Sequence, residues 1–243
     1  MKAEEEIRNI FGQLKNLLLA EQEMRSEPPF IPSEVRSYLE GSVSAAHVHN
    51  HELAHPDSLE ALRAFIGECT RCRLHKGRKH LVFGEGSPQA RLVFVGEGPG
   101  REEDTAGRPF VGEAGRLLTR IIKAMGLTRE EVYICNVVKC RPPGNRDPDT
   151  DEIETCIPFL KQQLTIIRPE VVCTLGRVAG QGLLGANFRI TLERGNWHSH
   201  ENIPLMPTYH PAYLLRNPAA KRHVWEDVQK IMTFLGLEVK KND

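Results

Sequence analysis

The residues able to do chemistry in this chain are its cysteines and a few polar groups at the ends of apolar runs. Cys69 and Cys72 form a C-x2-C pair, the bite that holds one edge of a metal site. Cys140 lies in KCRPP and Cys156 in EIETC, so four thiolates could converge on one centre. A tetrahedral zinc site and an iron–sulfur cluster both fit four thiolates. Zinc ribbons usually supply two C-x-x-C knuckles. The second pair here is separated by fifteen residues, which leans towards a cluster while leaving zinc open. Cys135 and Cys173 fall inside apolar runs and read as packed thiols. His47, His49, His51 and His55 could also bind metal, but their setting, GSVSAAHVHNHELAHP, reads as a tether.

A second group of residues follows strands. GEGPG at 96–100 comes directly after an apolar run. It is neither a dinucleotide fingerprint nor a phosphate loop, because position 101 is Arg and the Gly-Lys-Ser/Thr ending is missing. It says that the backbone turns tightly or approaches a ligand. Phe110, in GRPFVGEAG, could stack on a flat base or cap the core. Asn136, in ICNVVKC, offers a donor and an acceptor together, which matches a pyrimidine edge; it could equally bond nearby backbone. His210 precedes Pro211, which biases it to an extended conformation at a strand end. Leu214, Leu215 and Arg216 follow in YHPAYLLRNP. Leucines beside cations can wedge into a base stack, or fill the core of the next helix.

The elements that must position these groups can be read from periodicity. Apolar runs at 91–96, 131–138, 170–175 and 203–208 alternate with helical patterns at 58–67, 113–125, 149–167, after 176, and over most of 211–235. Short apolar strands between helices imply a three-layer α/β/α fold with a central, mostly parallel, four-stranded sheet. Ligands of such sheets bind beyond the carboxyl ends of the strands. Gly96–Gly100, Asn136–Cys140 and Tyr209–Arg216 are then expected at one rim. An amphipathic helix is expected within residues 3–24, and residues 1–56 read as that helix plus a flexible linker. The main domain is expected over 57–243.

The net charge is zero. Residues 1–56 hold five basic and nine acidic residues, a net of −4, so the remainder carries +4. Arg71, Arg73, Lys76, Arg78 and Lys79 fall within ten positions with no acid among them. Such a stretch could neutralise phosphates, or be a solvated loop. No run approaches a membrane span. The acidic, amphipathic start differs from a secretory signal, so a cytoplasmic location is expected and disulfides are not.

Together these residues resemble the family 4 uracil-DNA glycosylases. The resemblance runs through CTRCRLHKGRKHLVFGEG, LVFVGEGPGREEDTAGRPFVGEAG, YICNVVKCRPPGNRDP and YHPAYLLRNP, and covers nearly all of residues 66–235. It implies a [4Fe-4S] cluster on Cys69, Cys72, Cys140 and Cys156. It implies that Glu97, Gly98 and Pro99 floor a uracil pocket, that Phe110 stacks on uracil, that Asn136 reads its edge, and that His210 faces its O2. The catalytic set is then His210, Glu97 and Asn136. Arg71, Arg73, Lys79, Arg141, Leu214, Leu215 and Arg216 are the expected DNA contacts. The implied partner is uracil-containing DNA, single- or double-stranded, acted on by a monomer, with the amino-terminal helix free to dock a repair or replication protein. Gly98 stands where other branches of the superfamily carry a water-activating Asp, which leaves Glu97, Glu103 and Asp104 as nearby carboxylates. Two rivals stay open: a cluster- or zinc-braced DNA-binding module without turnover, and a relative that traps uracil-DNA covalently. The latter carries a basic insert ending in a reactive His, and KCRPPGNRDPDTDEIETC contains none.

Overall fold

The computed structural model describes residues 56–239. The helix expected at 3–24, and the tether apart from Pro56, lie outside them.

Six strands form one sheet. They are β1 (Glu85–Gly86), β2 (Leu92–Gly96), β3 (Tyr133–Asn136), β4 (Val171–Leu175), β5 (His198–His200) and β6 (Ile203–Thr208). Their spatial order is β1-β3-β2-β4-β6-β5. The four inner strands are parallel, and β1 and β5 pair antiparallel at the edges. The four expected strands are therefore the inner four. The two edge strands go beyond the expected sheet: Glu85–Gly86 is too short to show a period, and His198–His200 is too polar.

Alternation along the strands makes two cores. Leu92 and Phe94 of β2 face one side with Ile134, Cys173 and Met206. Val93 and Val95 face the other with Tyr133, Cys135, Val172 and Leu205. Both faces are covered because both are apolar. Helices α1 (Leu59–Ile66), α2 (Arg101–Ala106), α3 (Glu113–Ala124), α4 (Thr150–Ile167), α5 (Arg177–Leu184), α6 (Ile190–Glu193), α7 (Pro211–Arg216) and α8 (Lys221–Phe234) surround the sheet. Helix α3 buries Leu117, Leu118 and Ile122 on the first face, joined by Val224, Val228 and Ile231 of α8. Helix α4 buries Leu160 and Leu164 on the second, with Ala179 and Leu183 of α5. Each such fully buried aliphatic side chain contributes about 1.5–3 kcal/mol relative to exposure.

Helix α4 runs through Pro158. The segment 211–235, expected as mostly helical, is broken at Asn217–Pro218 into α7, a 3-10 turn and α8. The proline supplies no N–H and disfavours helical backbone before it. Among the described residues no helix is long and apolar enough to cross a membrane.

Candidate active site and cysteine centre

Strands β2 and β3 end side by side, with Gly96 in register with Asn136. Asn136 is buried, and its Oδ1 has no hydrogen-bond partner. A buried amide oxygen left unpaired costs about 1–3 kcal/mol, so this atom is an acceptor waiting for a donor. Gly96 lies directly beneath it. A Cβ on Gly96 would stand 2.5 Å from that oxygen and 2.5 Å from Phe110 Cζ. The glycine lets the amide and the ring meet over bare backbone.

Phe110 is buried and adopts φ +51°, in the left-handed region. Three contacts hold it there. Arg129 Nη1 donates to the Phe110 carbonyl at 3.1 Å, and its Nη2 to the Pro109 carbonyl at 2.8 Å. Glu103 accepts from the N–H groups of Val111 and Gly112, at 3.0 and 2.9 Å, and so caps α3 from outside. Gly115 lets α3 lie against the Phe110 backbone, since a Cβ there would stand 2.0 Å from its carbonyl.

His210 ends the loop after β6 and caps α7, with Pro211 at the first helical position. Its ring lies 5.6 Å from that of Phe110, centroid to centroid, tilted by 33°. Its Nδ1 accepts the Ala212 N–H at 3.1 Å. Burial, aided by the Arg216 cation, pushes the imidazole down to about 4, against the pull of Glu103. His210 is therefore neutral at pH 7. Because Nδ1 is an acceptor, Nε2 carries the proton. A neutral ring with a fixed Nε2–H donor faces the same rim as Phe110.

Glu97 follows Gly96. Burial, and then the Asp147 carboxylate nearby, push its carboxyl up to about 7, opposed by Arg177. Arg177 pairs with Asp147. Gly98 packs on Val138, whose Cγ2 would lie 2.7 Å from an added Cβ, so an Asp at this position has no room without movement. Pro99 is buried beside it. Asp104 is structural: its Oδ1 accepts the Lys79 N–H at 2.8 Å, and its backbone carbonyl is 2.8 Å from His80 Nδ1.

Cys69, Cys72, Cys140 and Cys156 line one cavity with Ile66, Leu81, His75, Arg78, Lys139 and Phe159. All four are free thiols. Arg78 Nη1 donates to Cys140 Sγ at 3.1 Å, and the Lys139 N–H lies 3.4 Å from Cys156 Sγ. Burial raises the thiols of Cys72, Cys140 and Cys156, the last to about 11. Among the described residues no three His, Cys, Asp or Glu side chains gather tightly enough for a single metal ion. The loop with Cys72 is tied to the helix with Cys156 through Glu152. That buried carboxylate accepts from Arg73 and Arg146 at 2.8 Å and closes a capping box with Asp149. The two guanidinium partners hold it down at about 2. Cys135 and Cys173 are buried within β3 and β4, as expected of packed thiols.

The expected DNA contacts divide. Arg71 stacks on Phe65 and Phe159 and donates to the Ile66 carbonyl at 3.1 Å. Arg73 is paired with Asp149, Asp151 and Glu152. Both brace the cysteine loop. Lys79 and Arg216 are exposed, and Arg141 bonds Asn145 Oδ1 at 2.7 Å. Leu214 is 1 % exposed and sits in the core beneath α7, so it is no surface wedge. Leu215 is half-buried against the same core, and Tyr213 is the exposed apolar residue of that turn. Sequence reading placed Gly96 at the rim, within GEGPG, without a role of its own, and missed Arg129, which no local signal marks.

A model of the uracil DNA glycosylase superfamily matches residues 83–229, the span that holds Gly96, Phe110, Asn136 and His210. The chain is 47 % identical over 186 residues to a type-4 uracil-DNA glycosylase of Thermotoga maritima, covering 74 % of this chain and 96 % of that one. It is 48 % identical over 184 residues to a type-4 uracil-DNA glycosylase of Sulfurisphaera tokodaii, covering 72 % and 84 %.

The chain belongs to the type-4 uracil-DNA glycosylase family.

A third relative in this family, from Archaeoglobus fulgidus, is 43 % identical over 188 residues, covering 74 % and 94 %. The fold of a uracil-DNA glycosylase accounts for the parallel sheet and for the rim where its strands end.

Proposed function

We propose that the chain excises uracil from DNA by hydrolysing its N-glycosidic bond, leaving an abasic site. The observation that carries this reading is the unpaired, buried Oδ1 of Asn136, set over Gly96 beside Phe110 and His210. The base must leave the helix to reach this site, at a cost of a few kcal/mol. Phe110 then stacks on it. Asn136 Oδ1 accepts the uracil N3–H and its Nδ2 donates to O4. Cytosine offers an amino group and a bare N3 there, so the same amide refuses it. When the C1′–N1 bond breaks, its electron pair goes to the base and charge gathers on O2. The His210 Nε2–H is the donor for that charge, and such preplaced donors are worth about 2.7–4 kcal/mol. Water adds to C1′ and releases its proton to solvent, and the departing uracil anion takes up a proton from solvent. With Gly98 in place of a carboxylate, Glu97 is the acidic side chain that follows Gly96 at the strand end, and we assign it to the sugar cation.

The cysteine cavity fits a [4Fe-4S] cluster: four free thiols, an apolar wall, and donors from Arg78 and Lys139 aimed at sulfur. Cys69, Cys72, Cys140 and Cys156 would hold it, and it would brace the basic loop beside the rim. Lys79, Arg141, Leu215 and Arg216 are assigned to DNA contact. A DNA-repair role in the cytoplasm, as a monomer with a glycosylase domain from residue 57, is part of the same proposal.

The test is multiple-turnover release of free uracil from an oligonucleotide with one uracil, against a thymine control. The reading expects turnover, lost by 10²–10³ in His210→Ala. It also expects iron bound to the purified chain, lost in Cys72→Ser and kept in Cys173→Ala. A folded, iron-loaded chain that binds the uracil strand and releases nothing would instead be a DNA-binding module.

A further inference from the structure

Lys139 is among the largest fully buried side chains of the protein. A cation rarely occupies such a place without partners. Its Nζ donates to the Asn136 carbonyl at 2.8 Å and to Gln163 Oε1 at 2.5 Å. Gln163 is fixed in turn: its Nε2 donates to the Phe83 carbonyl and to the Tyr133 hydroxyl, each at 3.0 Å. No carboxylate pairs with Lys139 among the described residues. Its own N–H lies 3.4 Å from Cys156 Sγ, and it lines the cysteine cavity next to Cys140.

One residue therefore touches both functional regions. Its main chain borders the cysteine cavity, and its ammonium grips the carbonyl of the residue placed to read the base. Just beyond, the N–H groups of Val137 and Val138 donate to the carbonyls of Gly96 and Glu97, at 2.9 and 3.0 Å. Those bonds lock the floor of the site to the strand carrying Asn136.

We propose that Lys139 is a positioning residue that couples the cysteine centre to the base-reading site. It fixes the end of β3, and hence the Asn136 amide, to the walls of the cysteine cavity. This rests on the reading of the cysteines as an iron–sulfur centre. The link is geometric: the Lys139 N–H lies on Cys156 Sγ while its Nζ holds the Asn136 carbonyl and Gln163. Loss of the centre then loosens the strand end far more than distance alone suggests.

The test uses the iron-loaded, full-length protein and its Lys139→Met and Gln163→Leu variants. Each is measured for iron content, for kcat and KM on the uracil oligonucleotide, and for hydrogen exchange of the 137–138 amides. The coupling predicts that Lys139→Met keeps its iron, loses at least ~10-fold in kcat with little change in KM, and exchanges faster at 137–138. Gln163→Leu shifts in the same direction by less, and decides the matter if Lys139→Met does not fold. Iron removal from the wild type by a chelator speeds exchange at 137–138, and adds nothing further in Lys139→Met. Wild-type exchange at 137–138 in the iron-loaded variant, or in the chelated wild type, overturns the proposal. A wild type that holds iron yet releases no uracil overturns the assigned activity alone, since exchange still judges the coupling. A wild type that holds no iron overturns both the cofactor reading and the coupling.

Discussion

The amide oxygen of Asn136 lies over the bare Cα of Gly96, 2.5 Å from where a Cβ would stand. The Phe110 ring approaches the same point from the other side. The amide that reads the base edge and the ring that stacks on its face thus both occupy the space a Cβ on residue 96 would need.

Gly96→Ala tests that relationship. The added methyl must push the amide or the ring away, and a shift of about 1 Å at such a site costs roughly 10²-fold in rate. Loss of 10²-fold or more in kcat/KM is expected, with the fold retained by circular dichroism. Wild-type turnover in this variant would mean that the two side chains are not held by that contact.

Two groups at the rim titrate in opposite senses, and a pH profile separates them. His210 is already neutral above about 4, so its Nε2–H donor is constant from pH 6 to 8. Glu97 ionises at about 7, so a carboxylate that supports a sugar cation makes the rate rise from pH 6 to 8. That rise should vanish in Glu97→Gln. The sign for stability is the reverse. The folded protein holds the Glu97 proton above the pH where the unfolded chain releases it, so folding weakens as pH climbs from about 4.5 to 7. Glu97→Gln should raise Tm at pH 8 and leave it little changed at pH 4. A rate that instead falls from pH 6 to 8 in both proteins would assign the chemistry to a charged imidazole.

Charge in the loop 71–79 is divided between bracing and binding. Arg73 is spent on Glu152 and its neighbours, whereas Lys79 projects outward from a main chain held by Asp104. Lys79→Ala should lower the slope of log affinity against log salt by about 1 and leave Tm unchanged. Arg73→Ala should lower Tm and iron retention and leave that slope alone. Equal changes of slope in both variants would contradict the division.

Much of this was legible before any coordinates. The inner strands announced themselves because buried parallel strands read as continuous apolar runs, as in LVFVG and VVCTL. The rim residues were legible because glycine, Asn and His-Pro at strand ends break those runs. What stayed hidden was set by contacts distant in sequence. Leu214 and Arg71 carry the right chemistry for DNA, yet one is core and the other stacks on Phe65 and Phe159. Arg129 acts on Phe110 from nineteen positions away, and nothing local marks it. Lys139 is fully buried, and nothing in the KCRPP string that it opens marks that burial.

The central claim is that the Asn136 amide chooses the base. The most direct measurement is the release of cytosine and of uracil, from otherwise identical oligonucleotides, by Asn136→Asp. A protonated carboxyl can donate to a bare N3 and accept from a 4-amino group, so the variant should gain cytosine release that the wild type lacks, while uracil release falls. A variant that releases uracil at the wild-type rate, and no cytosine, would show that base choice is made elsewhere.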